Sequence, residues 1–263
     1  MTTQRMPVVF ISHGAPDALL HAHDAVAQWA EIGRRCPKPA AILVISAHWK
    51  ERTPTASLAE APATIHDFSG FAPSLHAMTY PAPGAPALAR QAVALLEQAG
   101  ITAVLDPNRG LDHGAWVPLS ALYPQANIPV TQLSLIKNGS PADHLALGKA
   151  LAPLRQEGVL IMATGSITHN FGWLKSSSDG SAPRPKAQAF NDWVTGQIMD
   201  RNVPALLAYR AAPYGAEAHP TEEHFLPLFV ALGAAGEDTP VGFHPNFAYG
   251  GLSMDAYLWA AAE

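Results

Sequence analysis

The chain has 263 residues, 48% of them hydrophobic and 14% charged, with a net charge of −5. That size permits a large buried core, while the mild acidity and the lack of any Lys/Arg run speak against a nucleic-acid partner. No apolar stretch reaches the roughly eighteen residues of a membrane span. Met1-Thr2-Thr3-Gln4-Arg5-Met6-Pro7 enters a short strand rather than a secretory apolar region. Cys36 is the only cysteine, so no intrachain disulfide can form, which fits a cytoplasmic protein. Arg34 and Arg35 beside it are candidates to lower its pKa, although a structural thiol is the simpler expectation.

In chain order, apolar β-branched runs predict strands at 8–12, 41–47, 55–59, 101–105, 129–136, 159–164 and 240–244. Ala/Leu-rich stretches predict helices at 22–35, 84–99, 142–156, 185–200 and 221–233. The second of these begins at a Pro-Gly-Ala-Pro turn and ends at Gly100, a suitable residue just past a helix. Alternating strands and helices predict a single α/β domain over residues 1–263, with a central mostly parallel or mixed sheet flanked by helices. The segment Lys175–Pro183 reads as a flexible surface loop or lid rather than a linker. The periodicity singles out no dimer face.

Function is carried by the 12 histidines, several of which fall where strands end. His13 follows the run Val8–Ser12 and His48 follows Ala41–Ala47. Open α/β sheets bind ligands beyond the carboxyl ends of their strands, and imidazole is both the commonest metal ligand and a proton carrier near neutrality. His169, after Gly165-Ser166-Ile167-Thr168, is a candidate fourth ligand or general base. His113, between Gly110 and Gly114, is a candidate substrate contact or proton relay.

In Glu217–Pro227, Pro220 or Thr221 is read as opening a helix, with Glu222 and Glu223 in its first turn. His224, inside that helix, is then the better ligand, and His219, on the loop before it, the better substrate contact. Their five-residue spacing does not share a helix face, which excludes the His-Glu-x-x-His arrangement of zinc peptidases. His21, His23, His76 and His144 are expected on the surface, and His66 and His244 at a pocket rim. Tyr80, Phe71 and Trp49 are candidates for an apolar wall.

The segments Ser12-His13-Gly14, Ser46-Ala47-His48-Trp49, Ile65-His66-Asp67-Phe68-Ser69-Gly70-Phe71, Tyr80-Pro81-Ala82-Pro83-Gly84, Leu111-Asp112-His113-Gly114, His169-Asn170 and His219–Leu228 occur in the order of a known group. Together they resemble the 4,5-DOPA extradiol dioxygenase family, a branch of the class III ring-cleaving dioxygenases related to the catalytic subunit of protocatechuate 4,5-dioxygenase. The resemblance implies a non-haem metal at His13, His48 and His224, and an acid/base at His169. It implies pocket histidines at His113 and His219 facing the catechol; Tyr80, from the apolar-wall candidates, is a further candidate substrate contact. It also implies a catechol such as L-DOPA and O2 as substrates, with iron(II) as the working metal and zinc as a metal often bound. The wider class III group uses two histidines and a glutamate, so Glu222 and Glu223 compete on paper with His224 for the third place. A zinc-dependent hydrolase and a non-catalytic metal-binding module are the alternatives.

Overall fold

The computed structural model describes residues 5–175 and 182–260. Its strands are β1 (Val8–Ser12), β2 (Ala41–Glu51), β3 (Thr55–Ser57), β4 (Val104–Asp106), β5 (Val130–Ile136), β6 (Val159–Gly165), β7 (Thr239–Phe243) and β8 (Ala256–Ala260). They form one eight-stranded sheet in the order β4-β3-β5-β2-β6-β1-β8-β7. The central strands β5, β2, β6 and β1 run parallel. β3 pairs antiparallel with β5, and β8 with both β1 and β7. The sheet is therefore mixed, with a parallel centre.

Helices of ten or more residues among those described are α1 (His23–Arg35), α2 (Pro86–Gln98), α3 (His113–Leu122), α4 (Pro141–Leu151), α5 (Pro185–Met199) and α6 (Leu226–Ala235). Successive residues of a strand point to opposite faces, and the central strands are apolar on both. Val8, Phe10, Leu43 and Ile45 pack into one core with residues of α2, α4, α5 and α6. Val9, Ile11, Ile42 and Val44 pack into a second core with α1 and α3. This three-layer burial explains why these strands read as continuous apolar runs.

Two elements lie outside the expected set. α3 is absent from the predicted helices and contains Gly114 and Pro118; it forms because Asp112 caps it, its side chain accepting from the Ala115 amide. β8 has four of its five residues buried, so it shows no polar alternation by which to be found. The helix expected at 221–233 starts later, at Leu226, which leaves His224 on the preceding turn rather than within the helix. The proposed loop or lid at 175–183 lies largely outside the described residues. Among the described residues no helix is long and apolar enough to cross a membrane.

Candidate metal centre

Three neighbouring strands, β2, β6 and β1, end at one crevice. His13 follows β1 directly, its amide donating to Gly165 O at 3.0 Å and so extending the parallel ladder. His48 sits in a bulge of β2. Between Ile45 and Lys50 that strand advances five positions, while β5 advances two, from Leu133 to Leu135. The surplus residues leave the ladder and re-aim the side chain, a common use of bulges beside sites. Gly114 on α3 makes room for this, since a Cβ there would lie 2.5 Å from Ser46 Oγ and 2.9 Å from His48 Cδ2.

His224 reaches the same point from the turn before α6. Its carbonyl accepts from the Ser166 amide at 2.8 Å. The turn lies so close to β6 that a Cβ on Gly165 would meet His224 O at 2.1 Å.

His48 Nε2 lies 3.0 Å from His13 Nε2 and 3.3 Å from His224 Nε2. The outer nitrogens have other neighbours. His13 Nδ1 is 2.9 Å from Thr164 Oγ1, His48 Nδ1 is 3.6 Å from Asp67 Oδ2, and His224 Nδ1 is 3.4 Å from Glu223 Oε1. A carboxylate only accepts, so the neighbouring Asp67 and Glu223 oxygens favour the tautomers of His48 and His224 that carry the proton on Nδ1, which leaves Nε2 of each to bind a cation. Nitrogens this close share either a proton or a metal ion. Nitrogens bonded at about 2.0–2.1 Å to one tetrahedral metal are themselves about 3.3 Å apart. The donor set therefore fits a metal ion.

Burial, reinforced by the neighbouring imidazoles, holds His13 and His224 well below the usual histidine range. Burial brings His48 down to about 4. Neutral imidazole is the form that binds metal, so the cluster is ready for one at neutral pH.

Two further histidines complete the wall. The His169 ring stacks on His224, centroids 3.5 Å apart and planes within 5°, and burial lowers its pKa. A ring nitrogen of His169 and an oxygen of Glu223 lie within 4.8 Å of a ring nitrogen of His224. His113 opens α3, with its amide and its Nδ1 both on Asp67 Oδ1, at 3.0 and 2.8 Å. That leaves Nε2 as its free nitrogen. Burial works against the Asp67 charge, but the His113 hydrogen bonds outweigh it and hold the carboxyl at about 2.

Behind them, Asp112 is fully buried. It accepts from Ser46 Oγ at 2.6 Å, Gln132 Nε2 at 2.9 Å and Arg109 Nη2 at 3.0 Å. It thereby ties the bulge carrying His48 to the helix carrying His113. The Arg109 guanidinium lies over the Trp49 ring, 5.1 Å from its centroid.

These rings open on a cavity of about 470 Å³ lined by His48, His113, His169 and His224. Phe68, Phe71, Phe171, Leu174 and Leu252 supply its apolar walls. Tyr249 also lines it, donating to Asp17 Oδ2 at 2.5 Å.

Several expected positions fall elsewhere. His219 does not line the cavity: it is fully buried against Phe225, Phe190 and Tyr209. Its Nε2–H donates to Ile167 O at 2.8 Å, and burial lowers its pKa to about 3. Tyr80 is also in the core, its hydroxyl donating to Tyr123 O. Trp49 is buried away from the cavity, bonded to Glu51. Glu222 turns away toward Tyr209 and Arg210, so of the two acids only Glu223 is near the centre.

His144, expected on the surface, is fully buried. Its Nδ1–H donates to Ser140 O and its Nε2 accepts the Ile136 amide, which satisfies both nitrogens locally. His66 bonds Met78 O behind Phe68, and His244 lines a separate cavity beside Asp255. Cys36 is buried and its thiol is pushed up to about 12 by burial, the reverse of activation by its arginine neighbours.

A histidine cluster that could hold a metal ion, beyond the carboxyl ends of a parallel sheet, is the kind of site that this fold and donor set define. Residues 7–257 match the family described as the catalytic LigB subunit of aromatic ring-opening dioxygenase. The chain is 43% identical to a 4,5-DOPA dioxygenase extradiol of Beta vulgaris over 248 residues, covering 92% of each chain. It is 40% identical to the protein of the same name in Escherichia coli (strain K12), covering 97% of this chain and 94% of that one. A crystal structure of an uncharacterized Escherichia coli K12 protein, JW3007, superposes with a TM-score of 0.79 at 35% identity, over 97% of this chain and 100% of the other. The chain belongs to the LigB family of aromatic ring-opening dioxygenases, as an extradiol, metal-dependent member.

Proposed function

We propose that His13, His48 and His224 hold the metal, that iron(II) is the working ion, and that the cavity beside it takes a catechol and O2 to give a muconic semialdehyde. The observation that carries this reading is the convergence of the Nε2 atoms at 3.0 and 3.3 Å. Iron(II) bound there would supply open coordination positions and the redox chemistry of ring cleavage.

The protein residues do the rest. His169, with its ring beside the ligand His224 and its pKa lowered by burial, is neutral at pH 7 and accepts the proton of a catechol hydroxyl, then returns it as the ring opens. His113, with Nδ1–H fixed by Asp67, presents Nε2 as an acceptor for the second hydroxyl. Apolar side chains of the cavity wall, Phe68 beside His113 and Phe171 beside His169, limit the access of bulk water to the reacting atoms. His219, buried behind this wall, and Tyr80, in the core, have no part in substrate contact on this reading.

The test is oxygen uptake by protein reconstituted anaerobically with iron(II), against a zinc-loaded control. The relatives' names make L-DOPA the first catechol to try. Uptake with a new visible-absorbing product, in the iron sample only, is the expected result. Failure with every catechol, with metal bound, would favour a hydrolytic or non-catalytic role.

A further inference from the structure

We propose that the phenylalanine-lined wall of this cavity selects a catechol carrying an uncharged apolar substituent, in preference to the zwitterionic side chain of an amino acid. This deepens the ring-cleavage reading above and rests on it.

Among the described residues, no Lys, Arg, Asp or Glu lines the cavity. Its ionisable groups are the histidines assigned to the metal and to proton transfer, plus Tyr249, which is engaged with Asp17. Cations that lie nearby are committed elsewhere. Arg109 bonds Asp112, Lys50 faces Glu223, and Lys175 donates to Ala182 O. Apart from the metal that the catechol oxygens would occupy, a substituent carboxylate brought here would leave water without a charged partner, which is costly.

The walls also offer a positive preference. On one side Phe68 meets Phe71 edge to face at 5.6 Å and His113 at 5.8 Å. On the other, Phe171 stands edge-on to His169 at 4.9 Å. Phe171 is 72% exposed, the most exposed of the large hydrophobic residues described. An exposed aromatic ring lining a cavity gains most from a ligand that covers it. The volume of about 470 Å³ is that of a site for a drug-sized molecule, and so leaves room for a substituent beyond the catechol ring.

The experiment compares 4-propylcatechol, 3-(3,4-dihydroxyphenyl)propionate, L-DOPA and dopamine. Binding is measured by calorimetry on the zinc-loaded protein under nitrogen, and kcat/KM on the iron-loaded protein. The dopamine arm tests whether the phenylalanines attract an ammonium instead. 4-Propylcatechol should bind at least about tenfold more tightly than each charged analogue, the scale on which apolar pockets discriminate. Phe171→Ser should reduce that preference severalfold. Equal or tighter binding of L-DOPA, dopamine or the propionate would overturn the proposal, as would an undiminished preference in the Phe171→Ser variant. If no catechol is turned over, the ring-cleavage reading fails, while the binding order still decides the preference.

Discussion

Replacing Asp67 by asparagine tests how the site is held. One Asp67 oxygen serves the His113 amide and Nδ1, at 3.0 and 2.8 Å. The other faces His48 Nδ1 at 3.6 Å, which is ion-pair rather than hydrogen-bond range. An asparagine can still accept from His113, but its amide group then points a donor at the Nδ1–H of His48. If it flips, His113 loses its acceptor instead. A hydrogen bond to a charged group contributes about 1.5–3 kcal/mol. At roughly 1.4 kcal/mol per factor of ten, losing one such interaction costs about 10- to 100-fold. The same range, about 10–100-fold in metal affinity or activity, is typical when the partner of a metal-ligating histidine is removed. The assays are chelator competition for the metal and kcat/KM of the iron-loaded variant, with circular dichroism to show an intact fold. Metal affinity and kcat/KM both within twofold of the parent would refute the assignment of Asp67 as the residue that orients His48 and His113.

Other perturbations have distinct signatures. His169→Ala should lower turnover about 10²- to 10⁴-fold, the usual contribution of a general base, with metal content unchanged; full turnover would remove His169 from the mechanism. Gly165→Ala should push away the turn that carries His224, because the new Cβ would fall 2.1 Å from His224 O; weakened metal binding with modest loss of stability is expected, and unaltered metal affinity would count against the close approach. Arg155→Met should destabilise the fold by about 3–5 kcal/mol. The buried guanidinium pairs with Asp238 and caps Met6 O and Ala234 O, and a denaturant midpoint near the parent value would argue against that role. His244 has its pKa raised by its hydrogen bond to Asp255. Its stabilising contribution is therefore full below the unfolded pKa of about 6.5 and lost as pH rises through the higher folded value. His244→Asn should flatten that decline, an effect kept small by solvent screening, and an unchanged pH profile of the melting temperature would dismiss it.

The sheet was legible because its central strands are apolar on both faces, and the run before His13 announced a strand end, whereas β2 continues past His48 to Glu51 through a bulge that the apolar run does not reveal. The two runs still placed two metal-ligand candidates at one crevice without any knowledge of the crossovers. His224 was recognisable as a residue but not in its setting. Proline and two acids imitate a helix start at 220–223, whereas the chain spends those residues in a turn docked on β6. His219 looked equally placed for substrate, but nothing local reveals that its ring turns inward to Ile167 O. Asp67 and Asp112 carried no local signal for their links to the site, since His113 lies 46 positions from Asp67, and Ser46 and Gln132 lie 66 and 20 positions from Asp112. Phe171 was invisible as a cavity residue for the same reason: its exposure is set by the path of the chain after β6.

The position of β1 bears on when the centre can come into being. β1 lies between β6 and β8, so the strand that delivers His13 acquires its two neighbours only from residues 159–165 and 256–260. Domains fold as units as the chain emerges during synthesis, and here an early ligand waits for a late strand. His224 likewise needs the finished edge of β6 to dock its turn. Metal capture then belongs after residues 256–260 have been made and the sheet has closed around β1.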